Sequence, residues 1–242
     1  LGGGMLFVPL IHYAADWPID GKLIAVSLIL TGVVSWGSGL THRKENLVDD
    51  DIIGIALWGA VPGAILGVII IQLLGSELDF IFKSLSLILI SIALSKYLFS
   101  KNKIGQKDIS KQNENITGIA IGSGAGGMLS SILAIGAGAI YVPCLQIFGK
   151  LKTRIAIGSS LNIMMIVVPI AVFSHIAILS NNQLELLKEQ LIFIIILVML
   201  TLLGAKLGAS YGIKNIPENR IRQAFIAILV IIWIRYLFDL II

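Results

Sequence analysis

Six runs of this chain are each about twenty apolar residues long, a length that a fold in water does not call for and a bilayer does. They are Lys22–Leu40, Ile52–Leu74, Phe80–Phe99, Ile155–Leu179, Leu186–Gly212 and Ile221–Ile242. A hydrocarbon core of roughly 30 Å is crossed by about 20 residues of helix, so each run predicts one crossing. Composition agrees: 57% of the residues are hydrophobic and only 13% charged, against about 25% charged in soluble domains. The expected fold class is therefore all-α, a polytopic membrane protein with no stretch left over for a soluble domain.

Two other apolar stretches do not have the length of a crossing. Gly2–Ala15 is too short. Ile116–Phe148 is too long, since its 33 residues would span roughly 50 Å as one helix. It contains Gly118, Gly122, Gly124, Gly126, Gly127, Gly136 and Gly138, then Pro143, and predicts a helix broken within the membrane.

Charge narrows the function. All 14 acidic residues fall in loops or at segment ends, which argues against a proton relay or cation pathway lined by carboxylates. The net charge of +4 sits at membrane flanks and offers no basic face for nucleic acid. Cys144 is the one cysteine, so neither an intrachain disulfide nor a metal cluster is expected, and no cofactor. The chain opens at Leu1 inside a glycine-rich motif without a Met, and an N-terminal truncation is expected.

The sequence also repeats itself. Gly4-Met-Leu-Phe-Val-Pro9 matches Gly138-Ala-Ile-Tyr-Val-Pro143 at an offset of 134. Ser27-Leu28 matches Ser160-Leu161, and His42 matches His175, both at 133. Gly63-Ala-Ile-Leu-Gly67 matches Gly204-Ala-Lys-Leu-Gly208 at 141, and Tyr97-Leu-Phe99 matches Tyr236-Leu-Phe238 at 139. Five correspondences in one order divide the chain into a first repeat, 1–99, a linker, 100–115, and a second repeat, 116–242. Duplicated halves are a transporter architecture.

Lysine and arginine counts choose the orientation of the halves. If every apolar stretch crossed, one face would hold Lys22, Lys83, Lys150, Lys152, Arg154, Lys206, Lys214, Arg220 and Arg222, and the other an equal nine of the 18. If the glycine-rich stretch of each half dips in and returns, one face keeps only Lys22, Lys83, Lys188 and Arg235, and the other takes fourteen. A cytoplasmic face is rich in such residues, so the second arrangement is expected: two inverted repeats, each with one re-entrant segment and three crossings, and both chain ends outside. The residues 100–115, with Lys101, Lys103, Lys107 and Lys111, then form a cytoplasmic linker.

The motif Leu1-Gly-Gly-Gly-Met-Leu-Phe-Val-Pro-Leu10 and its second copy, Ile135-Gly-Ala-Gly-Ala-Ile-Tyr-Val-Pro-Cys-Leu145, resemble the paired signature of the TauE/SafE sulfite exporter family. The helix openings at Ser27 and Ser160, the following His42 and His175, and the Gly-Ala-x-Leu-Gly helix of each half fit the same pattern. Two features depart from it: the first motif lacks the glycine-rich limb found at Gly118–Ser131, and Ala137 stands where a third glycine is usual. The resemblance implies export of sulfite, organosulfonates or related small anions across the inner membrane. A homodimer is compatible with this, though no residue specifies one.

A broken helix leaves backbone N–H groups free, and a half-helix starting there presents partial positive charge, a natural seat for an anion. Gly3, Gly4, Pro9, Gly136, Gly138 and Pro143 form the two breaks, and Ser27, Ser159, Ser160 and Asn162 add donors. These ten are the expected substrate-binding residues. Small residues also serve helix packing, which explains the same serines and glycines without a ligand. His42 and His175 are candidates for gating or protonation, although His42 beside Arg43 and Lys44 also reads as an interfacial side chain. The same seats would serve an anion channel. An intramembrane serine protease fits poorly, because Ser160 and His175 lie roughly 22 Å apart along one predicted helix.

Overall fold

The structure, a computed structural model, describes residues 4–99, 114–136, 140–207 and 218–241. Among these residues it is all helical: α1 Gly4–Ala15, α2 Gly21–Lys44, α3 Asp50–Leu74, α4 Leu78–Phe99, α5 Ile116–Leu133, α6 Tyr141–Ile147, α7 Thr153–Ile178, α8 Asn181–Glu189, α9 Leu191–Leu207 and α10 Glu218–Ile241. The helices start where short polar side chains can cap them. Asp20 accepts from the Leu23 N–H at 2.9 Å, Asp49 from Ile52 at 3.0 Å and Asn115 from Gly118 at 2.8 Å. Gly75, at φ +50°, ends α3 in a conformation that costs glycine little, and a 3₁₀ turn over Gly75–Glu77 leads into α4.

Four helical stretches are long and apolar enough to cross a bilayer: Gly21–Lys44, Asp50–Ser95, Ile116–Leu133 and Thr153–Ile178. A fifth is the pair Asn181–Glu189 and Leu191–Ala205, bent by 65°. The run expected over Leu186–Gly212 falls on this pair, and its last residues, 208–212, lie outside the described ones. Ser180 and Gln183 close a capping box that starts α8 early. The polar Lys188, Glu189 and Gln190 end it, and the apolar helix α9 begins at Leu191.

The stretch Ile116–Phe148 breaks as expected, though not where its glycines are densest. Gly118 through Gly127 all lie inside the continuous helix α5. The chain leaves it at Ala134, which takes up left-handed dihedrals (φ 50°, ψ 33°), and returns through α6. Facing pairs run in opposite directions: Gly118 against Phe148, Gly122 against Cys144 and Gly126 against Tyr141. The Asn115 N–H donates to the Phe148 carbonyl at 3.1 Å, so both ends of the hairpin meet.

The glycines are there for contact on a second face. Helix α5 runs parallel to α3 with backbone against backbone. A methyl group at Gly59 would sit 1.8 Å from the Ala120 carbonyl oxygen, at Gly63 2.0 Å from that of Gly124, and at Gly127 2.1 Å from that of Ala60. Close approach of this kind brings Cα–H groups onto carbonyls and needs small residues on both helices.

The other long contacts are antiparallel. Along α2 and α7, Gly21 lies on Leu179, Gly32 on Val168, Gly39 on Leu161 and His42 on Gly158, so the numbers of facing residues add to about 200. Along α4 and α10, Trp233 Nε1 donates to Ser91 Oγ at 2.9 Å and Lys83 meets Asp239. Helix α1 packs on α2, α6 on α7, α3 on α7 and α9 on α2.

Gly63 and Gly204, matched in the repeat, differ in surroundings: Gly63 faces backbone, whereas none of the described residues lies within 4 Å of a methyl at Gly204. Gly63→Leu is therefore expected to abolish recovery of monodisperse protein in detergent, since no side chain can move aside. Gly204→Leu is expected to leave yield and melting temperature nearly unchanged. Size-exclusion profiles of both variants check this.

Candidate functional site

At the end of α5 three helices converge on the break. The last carbonyls of any α-helix lack intrahelical partners. Here Thr31 Oγ1 of α2 donates to the Ala134 carbonyl at 3.3 Å and also to that of Ser27 at 2.9 Å. From α7, His175 Nε2 lies 3.1 Å from the Ser131 carbonyl. Helices α2 and α7 thus hold the two sides of the broken end.

Around these anchors, polar side chains are buried without partners. Ser27 is fully buried and its hydroxyl has no hydrogen-bond partner among the described residues; the same holds for the hydroxyls of Ser130, Ser131 and Tyr141 and for Nδ1 of His175. Three other hydroxyls in the helices are satisfied by the carbonyl one turn back: Ser35 by Thr31, Ser160 by Ile157 and Ser174 by Ile170. An unsatisfied buried polar group costs about 1–3 kcal/mol, so four hydroxyls left open in one region mark a place built for something polar. None of them is charged, and hydroxyls can donate to an anion.

The sequence-predicted residues are spread between this region and two others. Ser27, Gly136 and His175 are buried at the break. Gly4 opens α1 and Pro9 lies buried within it, while Pro143 lies within α6. Gly3 and Gly138 lie outside the described residues. Ser159, Ser160 and Asn162 form a separate polar joint at the other end of α7. There Ser159 Oγ accepts from the Asp49 N–H at 2.9 Å, and Asn162 Nδ2 donates to the carbonyls of Gly158 at 2.9 Å and Gly39 at 3.3 Å. His42 belongs to that end too, with Nδ1 2.9 Å from the Ser38 carbonyl.

In the antiparallel register Ser27 is level with residue 173, thirteen residues from Ser160, which is roughly 20 Å. The two serines do not share one cavity. Thr31, Ser130, Ser131 and Tyr141, in contrast, escaped notice in the sequence. The signal for Tyr141 was present in the repeat, where it matches Phe7: one copy of the motif carries a hydroxyl that the other lacks. The Ser130-Ser131 pair inside an apolar run was a second signal.

Comparison with known proteins decides the family. The family model of the sulfite exporter TauE/SafE matches residues 1–236 of the 242. The chain belongs to the TauE/SafE family. No curated protein and no solved structure matches it. TauE/SafE proteins are membrane transporters, and with the apolar helices this makes the chain a multi-pass membrane protein. The match runs through both glycine motifs, the hairpin α5–α6 and the antiparallel pair α2–α7 that braces it.

The two serines are expected to separate on mutation. Ser27→Ala removes an open donor and should weaken anion binding by about 10- to 150-fold, the worth of a hydrogen bond to a charge. Ser160→Ala removes a hydroxyl already spent on its own helix and should change affinity less than about twofold. Equilibrium binding of sulfite to the two purified variants measures the difference.

Proposed function

We propose that this chain is an inner-membrane exporter of small sulfur oxyanions, sulfite or organosulfonates, which are held at the break between α5 and α6. The observation that carries the reading is the set of open hydroxyls, Ser27, Ser130, Ser131 and Tyr141, at the interrupted helix of a transporter-family protein. A small oxyanion needs several convergent donors and little space, and hydroxyls with free backbone N–H groups supply that without a fixed countercharge that would hold it too tightly. Gly3, Gly4, Gly136 and Gly138 enter the proposal as the residues that let the backbone turn at the two breaks.

The proposed architecture is a pair of inverted repeats, 1–99 and 116–242, joined by a cytoplasmic linker. Repeat-equivalent helices support it by lying antiparallel on one another. Residues of α2 and α7 that face each other add to about 200, and equivalents differ by 133, so both helices cross at their matched midpoints near 33 and 166. Facing residues in α4 and α10 add to 322–324 and equivalents differ by 139, which again gives matched midpoints, near 92 and 231. The neighbours are exchanged in the same way, α3 on α7 and α9 on α2. Arg154 lies at the same end as Arg43 and Lys44, which supports the fourteen-to-four arrangement over the nine-to-nine one.

Cells producing the protein are expected to lose radiolabelled sulfite or taurine faster than cells without it, with saturation as efflux load rises. Equal loss overturns the reading. A reporter fused after Ile242 should lie outside, and one inserted at Gln106 in the cytoplasm. Finding both on one face would overturn the inverted arrangement.

A further inference from the structure

At the ends of α1, α4 and α10, away from the open hydroxyls, four charged side chains form a closed set. Lys83 lies one and a half turns into α4 with its side chain only 8% exposed, 2.9 Å from Asp79 and 3.2 Å from Asp239. Asp239 also accepts from the Tyr13 hydroxyl at 2.8 Å and lies 4.0 Å from Arg235 Nε. Arg235 stacks over the Tyr13 ring at 5.0 Å. One carboxylate is therefore met by an ammonium, a guanidinium and a phenol from three helices.

That donor set is what a free oxyanion would require. It is also placed where one would pass. Lys83, Arg235, Phe238 and Asp239 line a surface depression of about 370 Å³. Directly beneath it, Phe82 and Tyr236 meet edge to face at 6.3 Å, and Tyr13 lies 5.9 Å from Tyr236. On the far side of these rings a cavity of about 10 Å³, the room of one water molecule, is lined by Ser86, Tyr236 and by Leu133 and Ile135 of the break. The Tyr236 hydroxyl is buried and has no partner among the described residues. Phe82 and Tyr236, which line the cavity beside the break, are thus next in sequence to Lys83 and Arg235, which line the depression.

We propose that Lys83, Arg235 and Tyr13 form a second anion station at the mouth of the pathway, and that Asp239 is a tethered competitor occupying it. The proposal rests on the transporter reading above and adds a ligand class, a small oxyanion, at residues distinct from the break. With Asp239 seated the set is neutral, two cations against two carboxylates. An oxyanion leaving the break passes the Tyr13–Phe82–Tyr236 layer and takes the donors of Asp239, whose carboxylate swings into the depression, before the anion is released outside. A mere clamp between α4 and α10 would not need such chemistry, since a buried ion pair is no more stabilising than packed apolar side chains.

The test is sulfite uptake into proteoliposomes containing the full chain, with KM read for each variant. Lys83→Gln removes the main donor and is expected to raise KM by about tenfold or more. Asp239→Asn removes the competitor's charge and is expected to lower KM several-fold. Opposite signs support the station. Shifts of the same sign, or unchanged KM with a lowered melting temperature in both, overturn it in favour of a clamp. Arg235→Gln, at an exposed position, gives a variant expected to fold normally and to raise KM about threefold, and an unchanged KM there also counts against the station. An unmodified chain that moves no sulfite overturns the transporter reading instead, and the station with it.

Discussion

The rest of the structure depends on the contact of α3 with α5, where two helices touch through their backbones. Between apolar helices in lipid there is no hydrophobic gain from association, because the surroundings are as apolar as the side chains. What remains is dispersion, weak Cα–H hydrogen bonds and fit, and all three improve as the axes approach. Gly59, Gly63 and Gly67 on α3 and Gly127 on α5 permit an approach that even one methyl group would prevent. Since α6 folds back on α5, this contact also sets where the broken end of α5 lies.

What the contact positions is costly on its own. A helix end buried in an apolar region exposes carbonyls that water would otherwise satisfy. Thr31 and His175 satisfy two of them, which explains why α2 and α7 both carry a polar residue at this level. The four open hydroxyls nearby are a cost with no structural return. They differ from Ser35, Ser160 and Ser174, which show how easily a helix absorbs a hydroxyl when nothing else is asked of it.

The crossings expected within Gly21–Lys44, Asp50–Ser95 and Thr153–Ile178 were legible because their signal is length and apolarity, which are local. The break in Ile116–Phe148 was legible for the same reason: 33 residues do not fit a bilayer as one helix. Its position was not. Glycine has two uses, to bend a chain and to let chains touch, and composition does not distinguish them. In Gly118–Gly127 the second use prevails because α3 and α6 press on two faces of α5. Ser27 and Ser160 looked like one pair because repeat-equivalence says nothing of distance, and antiparallel packing carries equivalent residues to opposite ends. The bend within the run from Leu186 was not legible, because the cap at Ser180 acts through hydrogen bonds that hydropathy ignores.

The hydrogen bond from Asn115 to Phe148 has a consequence for how the chain is made. Helix α5 has 18 residues and enough apolar character to pass as an ordinary span. Insertion machinery that reads segments one at a time would carry its far end across and strand α6 on the opposite side. For both ends to finish together, the hairpin has to fold back as a unit against something already in place. Helix α3 is synthesised before it and offers the matching glycine stripe. Helix α3, which precedes the hairpin in the chain, carries the glycine face on which α5 comes to rest.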